Sequence, residues 1–224
     1  LGTPSRVIVV EDPQGEINDL SAEERAAQGR ERPFGPKLIF NPRVKPVTDE
    51  TSFLWEKSVS MPGYRALVER HLAIQVTGLD PRGEEVDYVA RDWEARLIQQ
   101  SVDMLDGVMF TDRCVIRSVR HLDARQDPLP LDCPAVGAAG QPREPLSDAQ
   151  LAAAAEQGGS KGLFAGLPGV GRPNVFLAGS LLLRLESEQV TDIVSSKVQS
   201  VAKELREALA TGKHPLGIAA PMLG

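Results

Sequence analysis

The sequence predicts an α+β protein in which antiparallel sheets pack around a central buried helix. Three observations lead there. A block of short strand-like segments between Leu38 and Val89 contains a turn cluster typical of a hairpin. Asp92 to Leu105 is a helical stretch that is apolar around most of its circumference, the pattern of a helix enclosed by a core. A second helix, about Ser195–Thr211, carries a stripe at Val194, Val198, Val201, Leu205 and Leu209.

Taken in order, Arg6 to Val10 reads as a buried strand, since it is a short apolar run with no helical period. Asp12 to Lys37 is polar and punctuated by Pro13, Gly15, Gly29, Pro33, Gly35 and Pro36, so it reads as a surface excursion with one short helix near Ser21 to Gln28. Leu38–Asn41, Tyr64–Val68, Ala73–Leu79 and Glu84–Val89 are strand-like, and Asp80-Pro-Arg-Gly83 marks the turn joining the last two. Asp92 offers an N-cap to the central helix, and Gly107 closes it. Seven Pro and eight Gly fall between His121 and Pro173, a density typical of a linker. Within it, Ser147-x-x-Gln150 is a plausible capping box for an Ala-rich helix at Leu151–Gln157. Either Ser195 or Ser196 can cap the last helix. The small-residue segment Pro215 to Gly224 allows backbone to approach backbone or ligand closely.

The bulk numbers narrow the function classes. The 224 residues suffice for one sizeable core, and a net charge of −6 without a Lys/Arg block argues against sequence-independent nucleic-acid binding. The longest apolar run, Val175 to Leu185, is broken by Gly179, Ser180 and Arg184, and falls short of the ~18–20 residues of a membrane span. Cys114 and Cys133 make no disulfide framework, so a reducing intracellular compartment is expected, and no secretory signal is seen at the start.

Three separated segments carry the functional reading. They are Trp55-Glu-Lys-Ser-Val-Ser-Met-Pro-Gly63, Leu97-Ile-Gln-Gln-Ser-Val-Asp-Met-Leu-Asp-Gly-Val-Met-Phe110 and Gly217-Ile-Ala-Ala-Pro-Met222. They resemble the signature motifs W-E-G-C-L-S-V-P-G, V-I-Q-H-E-x-D-H-L-D-G-V-L-F and G-L-A-A-P-Q of the peptide deformylases. Asn41-Pro42 matches the Asn-Pro that precedes the first of these, and Arg65 to Ala90 follows the family's strand pattern. The resemblance covers roughly residues 1–113 and 175–224, which would together form one deformylase-like domain. Residues 114–174 would then be an extension or linker.

The resemblance implies a peptide-deformylase-like fold and a metal-dependent amide hydrolysis. In the family, two histidines four apart on one helix face and a cysteine hold a divalent ion that activates water. A glutamate moves protons, and a glutamine helps stabilise the oxyanion. Here the histidine positions are Gln100 and Met104, the cysteine is Ser58, the glutamate is Ser101 and the glutamine is Met222. This degenerate set predicts a pseudoenzyme with no bound cofactor. A groove walled by Gly217, Ile218, Met61, Pro62, Gly63, Tyr64 and Leu97, with Ser58 and Met104 beside it, would be less polar than the family's. It could still take peptide N-termini or a protein partner. One alternative is an active deformylase with a non-standard zinc or iron site acting on N-formylmethionyl chains. Another is a structural subunit of a larger assembly. On the simpler readings Gln100 and Met104 are core filler, Ser58 lacks a base, His71 is a surface or edge residue, His214 is solvent-exposed after a helix end, and His121 with Cys114 has no recognised ligand spacing.

The motif order differs from the family's, whose G-L-A-A-P-Q motif comes first. Ala220 to Gly224 would run naturally into Gly2 to Val10, and the chain begins with Leu1 rather than Met. The sequence therefore reads as cyclically rearranged, either as a circular permutant or with its segments out of biological order. An organelle such as the mitochondrion would suit a family that acts on nascent chains in bacteria and organelles.

Overall fold

A computed structural model describes residues 5–124, 129, 133–140, 185–211 and 217–220. The first strand, β1 (Val7–Asp12), has four consecutive fully buried residues and forms the middle of the core. A single turn of helix, α1 (Gln14–Asn18), follows, and then α2 (Ala22–Gln28). α2 starts where its sequence says it should. The Ser21 hydroxyl accepts the Glu24 N–H at 3.1 Å, and the Glu24 carboxylate accepts the Ser21 N–H at 2.9 Å. Gly29 ends it at φ +61.

The remaining strands are β2 (Phe34–Pro46), β3 (Thr51–Ser58), β4 (Met61–His71), β5 (Ala73–Leu79), β6 (Glu85–Arg91), β7 (Arg120–His121) and β8 (Gly217–Ala219). They form two antiparallel sheets, one in the order β6-β5-β2-β1-β8 and the other β3-β4-β7. The β5–β6 turn is the expected one: Asp80 Oδ1 accepts the N–H groups of Arg82 (2.8 Å) and Glu84 (2.9 Å), and Gly83 takes φ +83. Thr51–Ser58, of which only Trp55–Ser58 was read and that as part of a motif, is a full strand paired along β4.

The central helix α3 (Asp92–Leu105) lies against β1 and β8 and buries ten of its residues. Asp92 is not its N-cap. Arg91 holds that position without a side-chain bond, and Asp92 sits inside the helix at φ +48 with its N–H given to the Leu72 carbonyl at 2.8 Å. The reason is geometric: β6 runs into α3 with no loop between them, so the joint is made by backbone. A one-turn helix, α4 (Phe110–Arg113), follows.

The last helix, α5 (Ser196–Thr211), buries Val201, Ala202, Leu205 and Leu209 against the core around β1. Val194 does not belong to this stripe. It precedes the helix and is 77% exposed. Ser195 lies at the helix start, where its carbonyl accepts the Gln199 N–H, but its hydroxyl turns back to donate to the Asp192 carbonyl at 2.9 Å.

In the stretch read as an extension, Arg120–His121 pairs with β4. Residues Gly137–Gly140 lie along β3, with Gly137 N donating to Phe53 O and Phe53 N to Ala138 O. The expected helix at Leu151–Gln157 and its Ser147-x-x-Gln150 cap fall outside the described residues, as does His214.

Candidate functional site

The site is built where α3, the β3–β4 turn and β8 converge. α3 supplies Leu97, Gln100, Ser101 and Met104. Gln100 reaches the end of β3, where its Nε2 donates to the Lys57 carbonyl at 3.0 Å. The neighbouring Ser58 Oγ accepts the Ser60 N–H at 3.2 Å, a bond internal to the turn. Ser101 is 2% exposed and faces β8: its Oγ lies 2.9 Å from where a Cβ on Gly217 would stand. Only a glycine lets the strand come this close to the helix. Gly217 also faces Val10, and the Leu97 carbonyl is nearby.

The groove candidates do not share one apolar surface. Leu97 and Met104 belong to the main core around β1 and α3, with Met104 6% exposed. Met61 belongs to a separate cluster with Ala66, Val68 and Phe110, against which Tyr64 packs. Pro62 is exposed, and Gly63 turns at φ +85 beneath the His121 ring. Tyr64 meets that ring edge-on at 5.3 Å. Ile218 enters through its backbone, paired with Val9. Met222 lies outside the described residues.

Behind these positions is a charged network that sequence reading did not find. Arg70 bonds Glu56 through two nitrogens, at 2.9 and 3.0 Å, and also pairs with Asp103. Arg96 donates to the same Glu56 at 2.8 Å and to the carbonyls of Val68 (3.0 Å) and Ser52 (2.7 Å). Arg113 reaches Asp103 from the surface at 2.6 Å. Burial pushes the Glu56 carboxyl up, but the two guanidiniums more than reverse this and hold it below the usual carboxylate range. Burial pulls Arg96 down to about 10, against the attraction of Glu56 and with the repulsion of Arg70. The network ties the β3–β4 hairpin to α3, which keeps Ser58 and Gln100 in register. The sequence held a partial signal: Glu56 and Asp103 sit within the two motif segments at positions where charge is unusual for a buried face.

The polypeptide deformylase family model matches residues 1–120. That is more than half of the chain. The chain belongs to the polypeptide deformylase family.

Among relatives, the chloroplastic peptide deformylase 1A of Solanum lycopersicum is 39% identical over 137 residues, covering 61% of this chain and 49% of the relative. The mitochondrial peptide deformylase of Homo sapiens is 34% identical over 122 residues, covering 54% of this chain and 50% of the relative. This family member thus spans about half the length of the curated relatives it matches. Superposition on the Ehrlichia chaffeensis peptide deformylase gives a TM-score of 0.40 at 33% identity, over 49% of this chain and 57% of that one. The Met-Ala-Ser-bound class I type b deformylase of Acinetobacter baumannii also gives 0.40, at 28% identity, over 48% and 62%. The assignment rests on the sequence match, and the mixed α+β build with antiparallel sheets is seen directly. Among the described residues, no three His, Cys, Asp or Glu side chains gather as metal ligands. No described helix is long and apolar enough to cross a membrane.

Proposed function

We propose that this deformylase-family chain neither holds a catalytic metal nor removes formyl groups, and that it acts by binding, through its retained scaffold, peptide N-termini or a protein partner. The observation that carries the reading is what occupies the deformylase positions. Gln100 spends its amide N–H on the Lys57 carbonyl, Ser58 accepts a backbone N–H, and Met104 is packed into the core. An amide, a neutral hydroxyl and a buried thioether do not fit a zinc- or iron-type divalent ion, which calls for imidazoles, thiolate or carboxylate. Water without such an ion keeps a pKa near ~15.7 and is a weak nucleophile at neutral pH. Ser101, in place of the proton-handling glutamate, has no carboxylate to offer.

The first prediction follows. Protein purified and incubated with zinc, iron, nickel or cobalt should retain no stoichiometric metal by elemental analysis. It should hydrolyse a formyl-Met peptide no faster than a metal-free control. Stoichiometric metal with metal-dependent deformylation would instead support the active-enzyme alternative. Migration in extract only within a large complex would support the structural-subunit alternative.

We also infer that the segments are cyclically rearranged relative to the family. Support comes from the register of β8 on β1, where Ala219 faces Ile8 and Gly217 faces Val10. Gly217–Ala219 of the motif thus lie antiparallel beside the strand that follows it in the family's order. Peptide mapping of the intact protein by mass spectrometry tests this: a peptide spanning Met222 to Thr3 would show a joined order. An organelle is the proposed compartment, because relatives carry the names chloroplastic and mitochondrial. Imaging of the tagged protein tests it, and a diffuse cytosolic signal would count against it.

A further inference from the structure

We propose that Gly137–Gly140 is a stop strand: it closes the outer edge of β3 at Phe53, so that a peptide laid along this edge from the β3–β4 turn pairs at Trp55 and goes no further. This rests on the peptide-binding reading above and adds the length of peptide that the site accepts. Backbone direction in β3 decides where a peptide can pair. Along an antiparallel strand, successive residues turn their N–H and C=O groups to opposite edges. Phe53 turns both away from β4: its N–H donates to the Ala138 carbonyl at 3.0 Å, and its carbonyl accepts the Gly137 N–H at 2.7 Å. The Thr51 carbonyl does the same, accepting the Gly140 N–H at 3.2 Å. Trp55 and Lys57 follow by alternation, and two sets of bonds agree with that phase. The Lys57 carbonyl accepts Gln100 Nε2 from α3 at 3.0 Å. Leu67, which faces Trp55 in the β3–β4 register, donates its N–H to Ser118 Oγ at 2.8 Å and accepts the Val115 N–H at 2.9 Å. Both Leu67 groups thus point away from β3, so Trp55 presents its own N–H and C=O on the outer edge.

The outer edge is therefore held by Gly137–Gly140 at Thr51 and Phe53 and by Gln100 at Lys57, with Trp55 between them. The stop strand fits its place closely. Gly140 lies over Thr51, whose hydroxyl donates to Glu69 Oε1 at 2.8 Å, and a Cβ on Gly140 would overlap both oxygens. Gly137 leaves the edge at φ +78, in a turn closed by the Ala138 N–H on the Ala135 carbonyl at 3.0 Å, and lies against Ala27 of α2. An extended peptide gains affinity on a sheet edge through main-chain bonds. Past Trp55 those bonds would have to come from Phe53, whose N–H and C=O the stop strand already uses.

The test compares the full chain with its Gly140→Pro variant, which loses the N–H given to Thr51 and fills the space over the Thr51 hydroxyl. The probes are peptides of three, five and seven residues that begin with Met and continue in alanine. Binding is titrated by calorimetry, and amide hydrogen exchange is read at Phe53 and Trp55. Without peptide, the Phe53 amide should exchange many-fold faster in Gly140→Pro than in the parent. With peptide, the parent should gain protection at Trp55 and bind the shortest and longest probes within about twofold of each other, whereas the variant should bind the longest about tenfold more tightly, as for two hydrogen bonds gained. Should Gly140→Pro fail to fold, Gly140→Val takes its place. Equal exchange at Phe53 in both proteins, or the same rise of affinity with length in the parent, would overturn the stop strand and leave peptide binding standing. No binding of any probe to either protein would instead sink the peptide-binding reading, and this inference with it.

Discussion

At the scale of single residues, Glu56 is the side chain on which most depends. It is 4% exposed and neutralises two buried guanidiniums, Arg70 and Arg96, while Arg70 also pairs with Asp103. Removing its charge leaves Arg96 uncompensated, so Glu56→Gln should destabilise by about 3–5 kcal/mol in urea unfolding at neutral pH. The pH dependence has a definite sign. The folded-state pKa of Glu56 is lowered, so its contribution is full above its unfolded pKa of about 4.3 and is lost as pH falls through the lower folded value. The gap between the parent and Glu56→Gln should therefore narrow below about pH 4. A gap of constant size down to acid unfolding would show that the charge is not what matters. A second test concerns Gly217. Gly217→Ala puts a methyl group 2.9 Å from Ser101 Oγ and should cost about 1–3 kcal/mol, and the cost should shrink in a Ser101→Ala background. Additive effects would mean that the helix and strand do not touch there. The motif residues Ser58, Gln100, Ser101 and Met104 were legible in the sequence because each stands at a fixed place in a recognisable run. The ion network was not. Its bonds join residues 14, 33 and 40 positions apart on three elements, and no local pattern encodes such pairings.

At the scale of elements, what the sequence showed depended on whether a signal was local. The α2 capping box and the Asp80–Gly83 turn are local chemistry, and both form as read. Asp92 had the right residue type for a cap, but the direct β6–α3 joint placed it inside the helix with its N–H committed to Leu72. β3 was hidden because Thr51–Ser58 mixes buried and charged residues: Glu56 faces inward only because Arg70 and Arg96 meet it there. The last helix gives a direct test of stripe against structure. Periodicity ranks Val194 and Leu205 together, yet Leu205 is fully buried and Val194 is 77% exposed. Leu205→Ala should cost about 2–5 kcal/mol, and Val194→Ala less than ~0.5 kcal/mol, by chemical denaturation. Comparable losses at both positions would place Val194 in a packed environment and return the helix start to where its period suggested.

At the scale of the whole molecule, sequence distance and spatial distance part company. β1 and β8 lie at opposite ends of the chain and pair directly, and α3, midway along, packs on both. A reader of the sequence can see that the G-I-A-A-P segment belongs with the other two motifs. Only the ladder shows that its backbone closes the edge of β1. This makes β8 and the buried face of α5 part of the main core, with a consequence for shortened chains. A chain ending at Gly140 keeps every strand of the β3-β4-β7 sheet but loses β8 and α5. It exposes the N–H and C=O groups along one edge of β1 and removes Val201, Leu205 and Leu209 from the main core. Local helices and hairpins need no part of the lost segment, whereas tight packing around α3 does. The shortened chain should keep most of its far-ultraviolet circular dichroism, lose its near-ultraviolet signal, and bind a hydrophobic dye such as ANS. It should also unfold without a sharp cooperative transition. A truncated chain that keeps a native-like near-ultraviolet spectrum and a cooperative melt would mean that the first 140 residues form a self-sufficient core, and that β8 and α5 only decorate its edge.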